Sequence, residues 1–368
     1  MLILQDPTND KSTTLLESIS EALKSASSLS AMFSFVSKSG VDLITKESNF
    51  HRVASSGGID LIVGVDAVTN AKAIDALVIL HQQYPQIRIR ALMNPKPSGL
   101  FHPKFAFTEA NGGGFQITGS GNLTEGGLLR HWEAYSFDRL DARQLAETKL
   151  TFDGWVGRHS ASLLRIEDPL VRDRAQKNTV SAVIGDLPTL IAHPDEDKDE
   201  DTDAEQVVSN DARVLIAQIP KSGNRWNQAN FDIDNFRDFF GVGDDVAKRL
   251  WVFRYVNHDG TMAEYEPLRP PVPVASDNFR FELKAAAGQP YPTGGRPIGV
   301  FVRMAARLYF YRLLMPNDDP QFSHVLALLR AKAGQFHRPD RMMRERMTVG
   351  ELKTLWPDSP FWKLPPID

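Results

Sequence analysis

Phe101-His102-Pro103-Lys104-Phe105, followed by Gly119-Ser120-Gly121-Asn122 and then Glu133, constrains this chain more than any other stretch. In an extended segment alternate side chains share a face, so His102 and Lys104 are expected side by side. An imidazole next to an ammonium suits one phosphate group. Asn122 adds a neutral donor for a non-bridging oxygen. Ser120, with the small Gly119 and Gly121, is expected to let backbone N–H groups come close to an anion. Glu133 is expected to orient His102 through its second ring nitrogen. A single histidine beside aromatics is more often a packed histidine. The second motif, at this spacing and between strand patterns, is what points to a phosphodiester site. A dinucleotide loop is the rival reading of Gly119-Ser120-Gly121. That loop requires glycine where this chain has Thr124, and it follows a first strand instead of lying in mid-domain.

The 368 residues suffice for two domains, and 42% hydrophobic content can fill their cores. No apolar run reaches the ~20 residues of a membrane span. Met1 to Lys11 lacks a basic-then-apolar leader pattern, so a cytoplasmic protein with no membrane partner is expected. With no cysteine, disulfides, thiolate metal sites and cysteine nucleophiles are excluded. The net charge of −4 hides a division. Residues 195–205 hold eight acids and one lysine, a net −7, whereas residues 211–368 sum to +4. With Pro194, this acid run reads as a mobile linker over 193–212. A calcium loop is excluded because Thr202 or Ala204 stands where its glycine belongs.

Apolar periodicity predicts helices at Leu15–Leu29, Ala71–Gln83, Thr124–Leu129 and Ala142–Trp155. It predicts strands at Ala31–Val36, Ile59–Val65, Ile87–Leu92, Phe101–Phe107, Phe115–Thr118 and Trp132–Phe137. Alternating strands and helices imply a layered α/β domain. Beyond the linker, strand-like pieces at Val214–Ile219, Leu250–Tyr255, Phe279–Leu283, Pro297–Arg303 and Leu308–Leu314 are punctuated by Gly and Pro. They suggest a small barrel-like β domain, followed by helices at Phe322–Lys332 and Pro339–Met347.

With these residues stated, residues 1 to about 165 resemble a phospholipase D-like nuclease domain, since His102, Lys104, Ser120, Asn122 and Glu133 fall where that family has its catalytic residues. The order of parts is similar to restriction endonucleases of the BfiI and NgoFVII types. The fold class this implies is an α/β phospholipase D-like layered domain over 1–165, a linker with the acidic segment over 166–212, and a mainly β pseudobarrel over 213–368 with terminal helices. The family's additional aspartate is replaced by Glu109, which is read as structural. The resemblance places two DNA-clamping loops in the C-terminal part. Lys221, Asn224, Arg225, Trp226, Asn227 and Gln228 belong to the first, and Lys284 and Arg296 bound the second. Arg225, Asn227 and Gln228 suit base edges, and Lys221 and Arg296 suit phosphates. Arg338, Arg341, Arg344 and Arg346 are expected on a basic helix.

The family uses two His-x-Lys motifs per site. None of the other eight histidines here has lysine two residues on. The resemblance therefore implies a homodimer through the nuclease domain, with no metal and no cofactor. It further implies DNA as partner, an ATPase or methyltransferase companion, and a restriction or antiviral role. Two other classes stay open at this stage: a lipid phosphodiesterase, and a DNA-binding protein whose nuclease site is vestigial.

Overall fold

The computed structural model describes residues 1–66, 68–94, 99–183, 208–221, 226–243, 245–274, 278–317, 319–333 and 342–364. The chain divides into two units. Met1–Pro7 and Ser12–Glu205 form the first. Thr8–Lys11 and Gln206–Pro365 form the second.

The first unit is mixed α/β. Its elements are β1 (Leu2–Gln5), α1 (Leu15–Leu23), β2 (Ser28–Phe33), α2 (Lys38–Ile44), α3 (Ser48–Ser55), β3 (Ile59–Gly64) and α4 (Ala71–Gln83). After them come β4 (Arg88–Leu92), β5 (Lys104–Ala110), β6 (Gly113–Gly119), β7 (Glu133–Asp141), α5 (Ala142–Arg158), β8 (Leu163–Arg165) and α6 (Pro169–Val183). The eight strands make one sheet in the order β1-β7-β6-β5-β2-β3-β4-β8. β2, β3 and β4 run parallel, and the remaining pairs are antiparallel. β3 is buried along its whole length, as befits a central strand of a sheet covered on both faces, and its one charged residue, Asp60, pairs with Arg88 and Arg90.

Local chemistry starts the two helices that sandwich the site strands. Thr14 accepts the N–H of Glu17 while the Glu17 carboxylate takes the N–H of Thr14, and Asp141 and Gln144 do the same for α5. Successive residues of β5 then face opposite layers. Phe107 packs on Phe152 of α5, while Ala106 lies beside Ile19 of α1. The sheet is thus filled from both sides around β5 and β6, the strands that carry the two motifs.

The second unit holds two sheets. β9 (Arg213–Gln218), β11 (Val252–Val256), β12 (Met262–Tyr265), β15 (Ile298–Ala305), β16 (Leu308–Leu314) and β17 (Arg344–Thr348) form one, in the order β12-β11-β16-β15-β9-β17. β10 (Gln228–Asn230), β13 (Val272–Val274) and β14 (Asn278–Glu282) form the other. An aromatic core that includes Phe231, Phe240, Phe253, Phe281, Phe301 and Tyr309 is buried among them. α7 (Phe322–Ala333) and α8 (Val349–Leu355) complete the unit.

Three expectations are corrected. The first helix stops at Leu23, and Ser28 already begins β2, because residues 24–27 turn the chain into the sheet. Residues 169–183, expected within the linker, are helical, and Val171 and Ala175 are buried. Arg344–Thr348 is a strand paired with β9, not part of a helix. Arg338 and Arg341 lie outside the described residues, as does the whole acidic run.

Candidate active site

Four residues that follow β2, Ser34 to Ser37, join the two motifs. Phe33 pairs with Lys104 at the start of β5. The Ser34 N–H then donates to the Pro103 carbonyl at 2.9 Å. The Ser34 hydroxyl donates to Asn122 Oδ1 at 3.2 Å, and the Phe35 N–H reaches the same oxygen at 3.2 Å. Leu123 donates to the Phe35 carbonyl at 3.2 Å, and Ser37 donates to the Leu123 carbonyl at 3.1 Å. A backbone N–H can only donate, so the Asn122 atom it faces must be the amide oxygen. The Asn122 NH2 group is thereby fixed as the outward donor, on a side chain that is itself buried.

His102 lies just before β5, not on it, and is exposed, while the preceding Phe101 is buried and anchors the segment. The extended backbone still brings the two motif residues together. Lys104 Nζ stands 2.6 Å from His102 Nε2. The Phe35 ring meets the imidazole edge-on, with centroids 5.8 Å apart, and Lys104 Nζ lies 5.8 Å from the same ring centroid. Lys104 Nζ also lies 3.1 Å from His102 Nδ1, so the ammonium stands against the ring edge that carries both nitrogens.

Ser120 and Glu133 are tied to each other. The Ser120 hydroxyl donates to Glu133 Oε2 and accepts the Ala134 N–H at 3.0 Å. His131, which the sequence reading passed over, sits with Nδ1 3.9 Å from Glu133 Oε1. The buried Gln5 holds this corner by donating to the carbonyls of His131 at 2.9 Å and Gly127 at 3.2 Å.

The glycine-rich turn is built differently from the expectation. The Ser120 N–H donates to Ala134 O at 3.0 Å and closes the β6–β7 ladder, so it does not face an anion. A side chain on Gly119 would fall 2.3 Å from Tyr135 Cβ, and one on Gly121 would fall 2.6 Å from Leu15 Cδ2. Gly119 is required by the close approach of the β7 backbone, and Gly121 packs against Leu15 of α1. Glu109, read as structural, pairs with Lys149 of α5 at 2.8 Å. Among the described residues no group of three or more His, Cys, Asp or Glu side chains could hold a metal ion.

In the second unit the two segments expected to clamp DNA are neighbours. Gln228 of β10 pairs with Glu282 of β14. The Leu283 N–H donates to the Asn227 carbonyl at 2.8 Å, and the Tyr291 hydroxyl donates to the Ile219 carbonyl at 2.9 Å. Lys221 and Lys284 are exposed there. Arg296 contacts Gln218 Oε1 at 3.5 Å, and Gln228 accepts from Arg280 at 3.3 Å. Trp226, placed by the resemblance in the first clamping loop, is a core residue and not a DNA contact. It is buried, donates its indole N–H to the Gln289 carbonyl at 2.7 Å, and packs on Tyr291. Asn224 and Arg225 lie outside the described residues. Arg344 pairs with Asp232, and Arg346 pairs with Asn235 and Asp238, so both are committed inside the unit.

No helix among the described residues is long and apolar enough to cross a membrane. No protein-family model and no curated protein matches the chain. Among solved structures, the chain is similar to NucT from Helicobacter pylori at 18% identity and a TM-score of 0.29, with 41% of this chain and 89% of that one covered. It is similar to Nuc from Salmonella typhimurium, a phospholipase D family member, at 18% identity and a TM-score of 0.33, with 45% and 97% covered. Polyphosphate kinase from Porphyromonas gingivalis aligns over 93% of this chain and 52% of its own, at 13% identity and a TM-score of 0.28. Superpositions this loose carry no weight for function, which has to be argued from the site's own side chains.

Proposed function

We propose that the chain is a phosphodiesterase of the phospholipase D-like nuclease kind, cleaving DNA through a phosphohistidine without a metal. The observation that carries this reading is the junction of His102, Lys104 and Asn122 on one scaffold, with the Asn122 amide locked as a donor by Ser34 and Phe35. In the proposed reaction an imidazole nitrogen of His102 attacks phosphorus, the N–P bond forms and the P–O bond to the leaving strand breaks. A second histidine gives its proton to that oxygen. The same histidine then takes a proton from water as the water oxygen displaces His102 from phosphorus. Lys104 and the Asn122 NH2 offset charge on the non-bridging oxygens, each such donor contributing ~3–4 kcal/mol by analogy with an oxyanion hole.

The second histidine is proposed to be His102 of another copy. The edge strand supports that assembly: Leu2 and Leu4 of β1, and Trp132 next to Glu133, are exposed apolar side chains on the flank that carries the site. Sequence recognition by the exposed Lys221 and Lys284 region, and a role in a restriction system, belong to the same proposal.

The test is intermediate trapping. End-labelled DNA mixed with the protein in excess chelator and quenched in alkali should leave label on the wild type. His102→Ala should carry none and cleave at background rate. His131→Ala should keep the label, because its proposed place is beside Glu133 and not at phosphorus. Label that appears only with magnesium, or that persists in His102→Ala, overturns the mechanism.

A further inference from the structure

A cavity of about 780 Å3 opens beside the site, between α5 and the sheet face that carries Phe105, and His102 forms part of its wall. Its size falls within the ~300–1,000 Å3 of sites that enclose small molecules. The lining has two characters. Phe101, Phe105 and Trp155 present aromatic rings, whereas Gln116, Gln144 and Thr148 bring amide and hydroxyl groups from β6 and α5. The Asp141 N–H holds Gln144 Oε1 at 3.0 Å, so this amide offers its NH2 group to an occupant. None of the described lining residues is Lys or Arg, and Glu147 is among them. Glu147 is already paired with Arg143 at 2.9 Å, so beyond His102 the described lining brings no cation to bind a phosphate. Whatever enters is an uncharged part of a substrate whose phosphate sits at His102 and Lys104.

We infer that this cavity receives one nucleobase next to the scissile phosphate, swung out of its stack. The inference rests on the reading of the site as a nucleic-acid phosphodiesterase and adds what that reading lacks: the state of the substrate at the cut. The rings of Phe101 and Phe105 from the sheet side and of Trp155 from α5 match the face of a base, and stacking of this kind tolerates every base. The amides of Gln144 and Gln116, the latter accepting from the Thr148 hydroxyl at 3.3 Å, match a base edge. An acyl chain would desolvate the Gln144 NH2 group without giving it a partner, whereas Gln116 Oε1 already accepts from Thr148 at 3.3 Å. Extruding a base costs least where it is already unpaired, so single-stranded or locally melted DNA is the preferred substrate at that position.

The experiment uses the full chain and single-stranded oligonucleotides of one sequence. Abasic residues are placed one at a time on either side of the cut. Wild-type cleavage should fall roughly tenfold to a hundredfold at one flanking position and change little elsewhere. Trp155→Ala should slow the intact oligonucleotide to a similar degree, yet leave the oligonucleotide abasic at that position no slower than it is with the wild type. Thr148→Val gives a second, shape-conserving variant with a smaller effect in the same direction. The wild-type scan stands even if Trp155→Ala fails to fold. Cleavage indifferent to abasic residues at every position overturns the base subsite and leaves the nuclease reading intact. Failure to cut any oligonucleotide overturns the reading beneath it. Hydrolysis of phosphatidylcholine vesicles that depends on Trp155 assigns the cavity to an acyl chain and overturns the base.

Discussion

At the scale of residues, the orientation of Asn122 is the most exacting feature, because two donors from a distant segment decide which end of its amide meets a substrate. Asn122→Asp would let both donors keep their acceptor while replacing the outward NH2 with a second oxygen that repels phosphate. Cleavage should fall at least ~100-fold, by the size of a lost oxyanion donor, with the fold retained. Ser34→Ala removes one of the two donors and should cost about tenfold in kcat with little change in KM. A KM effect alone would show that Ser34 does not act through Asn122. His102, Lys104 and Asn122 were legible in the sequence because their residue types at that spacing suit one phosphate. Ser34, Phe35 and Gln5 were not. Each acts through a neighbour created by the fold, and nothing local to Ser34 points to Asn122, 88 residues away. The glycines misled for a related reason. A tight approach of backbone to a ligand and a tight approach of strand to strand require the same missing side chain.

At the scale of elements, apolar periodicity located the inner strands and the helix Ala71–Gln83, since a buried face imposes its period on the sequence. In the first unit it missed β1 and β8, which are short edges, the short helices α2 and α3, and α6, whose weak amphipathic pattern resembles a linker. It also assigned a helix to a segment that contains β17, because alternating charges in Arg344-Glu345-Arg346 disguise a strand whose polar side chains find Asp232 and Asn235. A buried acid links the elements of the second unit. Both the Tyr311 hydroxyl and the Lys284 N–H donate to Glu266 Oε1, tying β16 and the turn after β14 to the end of β12. Burial outweighs these bonds and pushes the Glu266 carboxyl up to about 7. A carboxyl raised in the folded state favours folding most when protonated. The stability it allows is complete below pH ~4.5 and is lost as pH rises through ~7. The unit's denaturant midpoint should therefore fall across that window, on the order of 3 kcal/mol in stability. Glu266→Gln keeps one oxygen for both donors and should flatten the profile. A wild-type midpoint that holds constant across the window would show that Glu266 stays charged in the folded protein.

At the scale of the whole chain, charge is distributed against the average. The net −4 comes from residues 195–205, which carry −7, whereas residues 211–368 carry +4. This segment lies outside the described residues, so its role is argued from composition alone. The proposed dimeric site collects two copies of His102 and Lys104 for a polyanion. A tethered anion reaches an effective concentration on the order of millimolar when its linker is short and flexible. It would compete best with DNA held only by its backbone, because that binding is electrostatic and salt-dependent. It would compete least with a preferred site held by base contacts. Replacing the eight acids with Ser and Asn should therefore raise non-specific cleavage while leaving site preference unchanged. The effect should shrink as salt is added, since exposed charges are screened over ~8–10 Å near physiological ionic strength. Sequencing of cut ends from a random DNA library, for both proteins at low and high salt, measures each expectation together. If off-site cutting at low salt is the same for the two proteins, the acids serve solubility or spacing and do not restrain the nuclease.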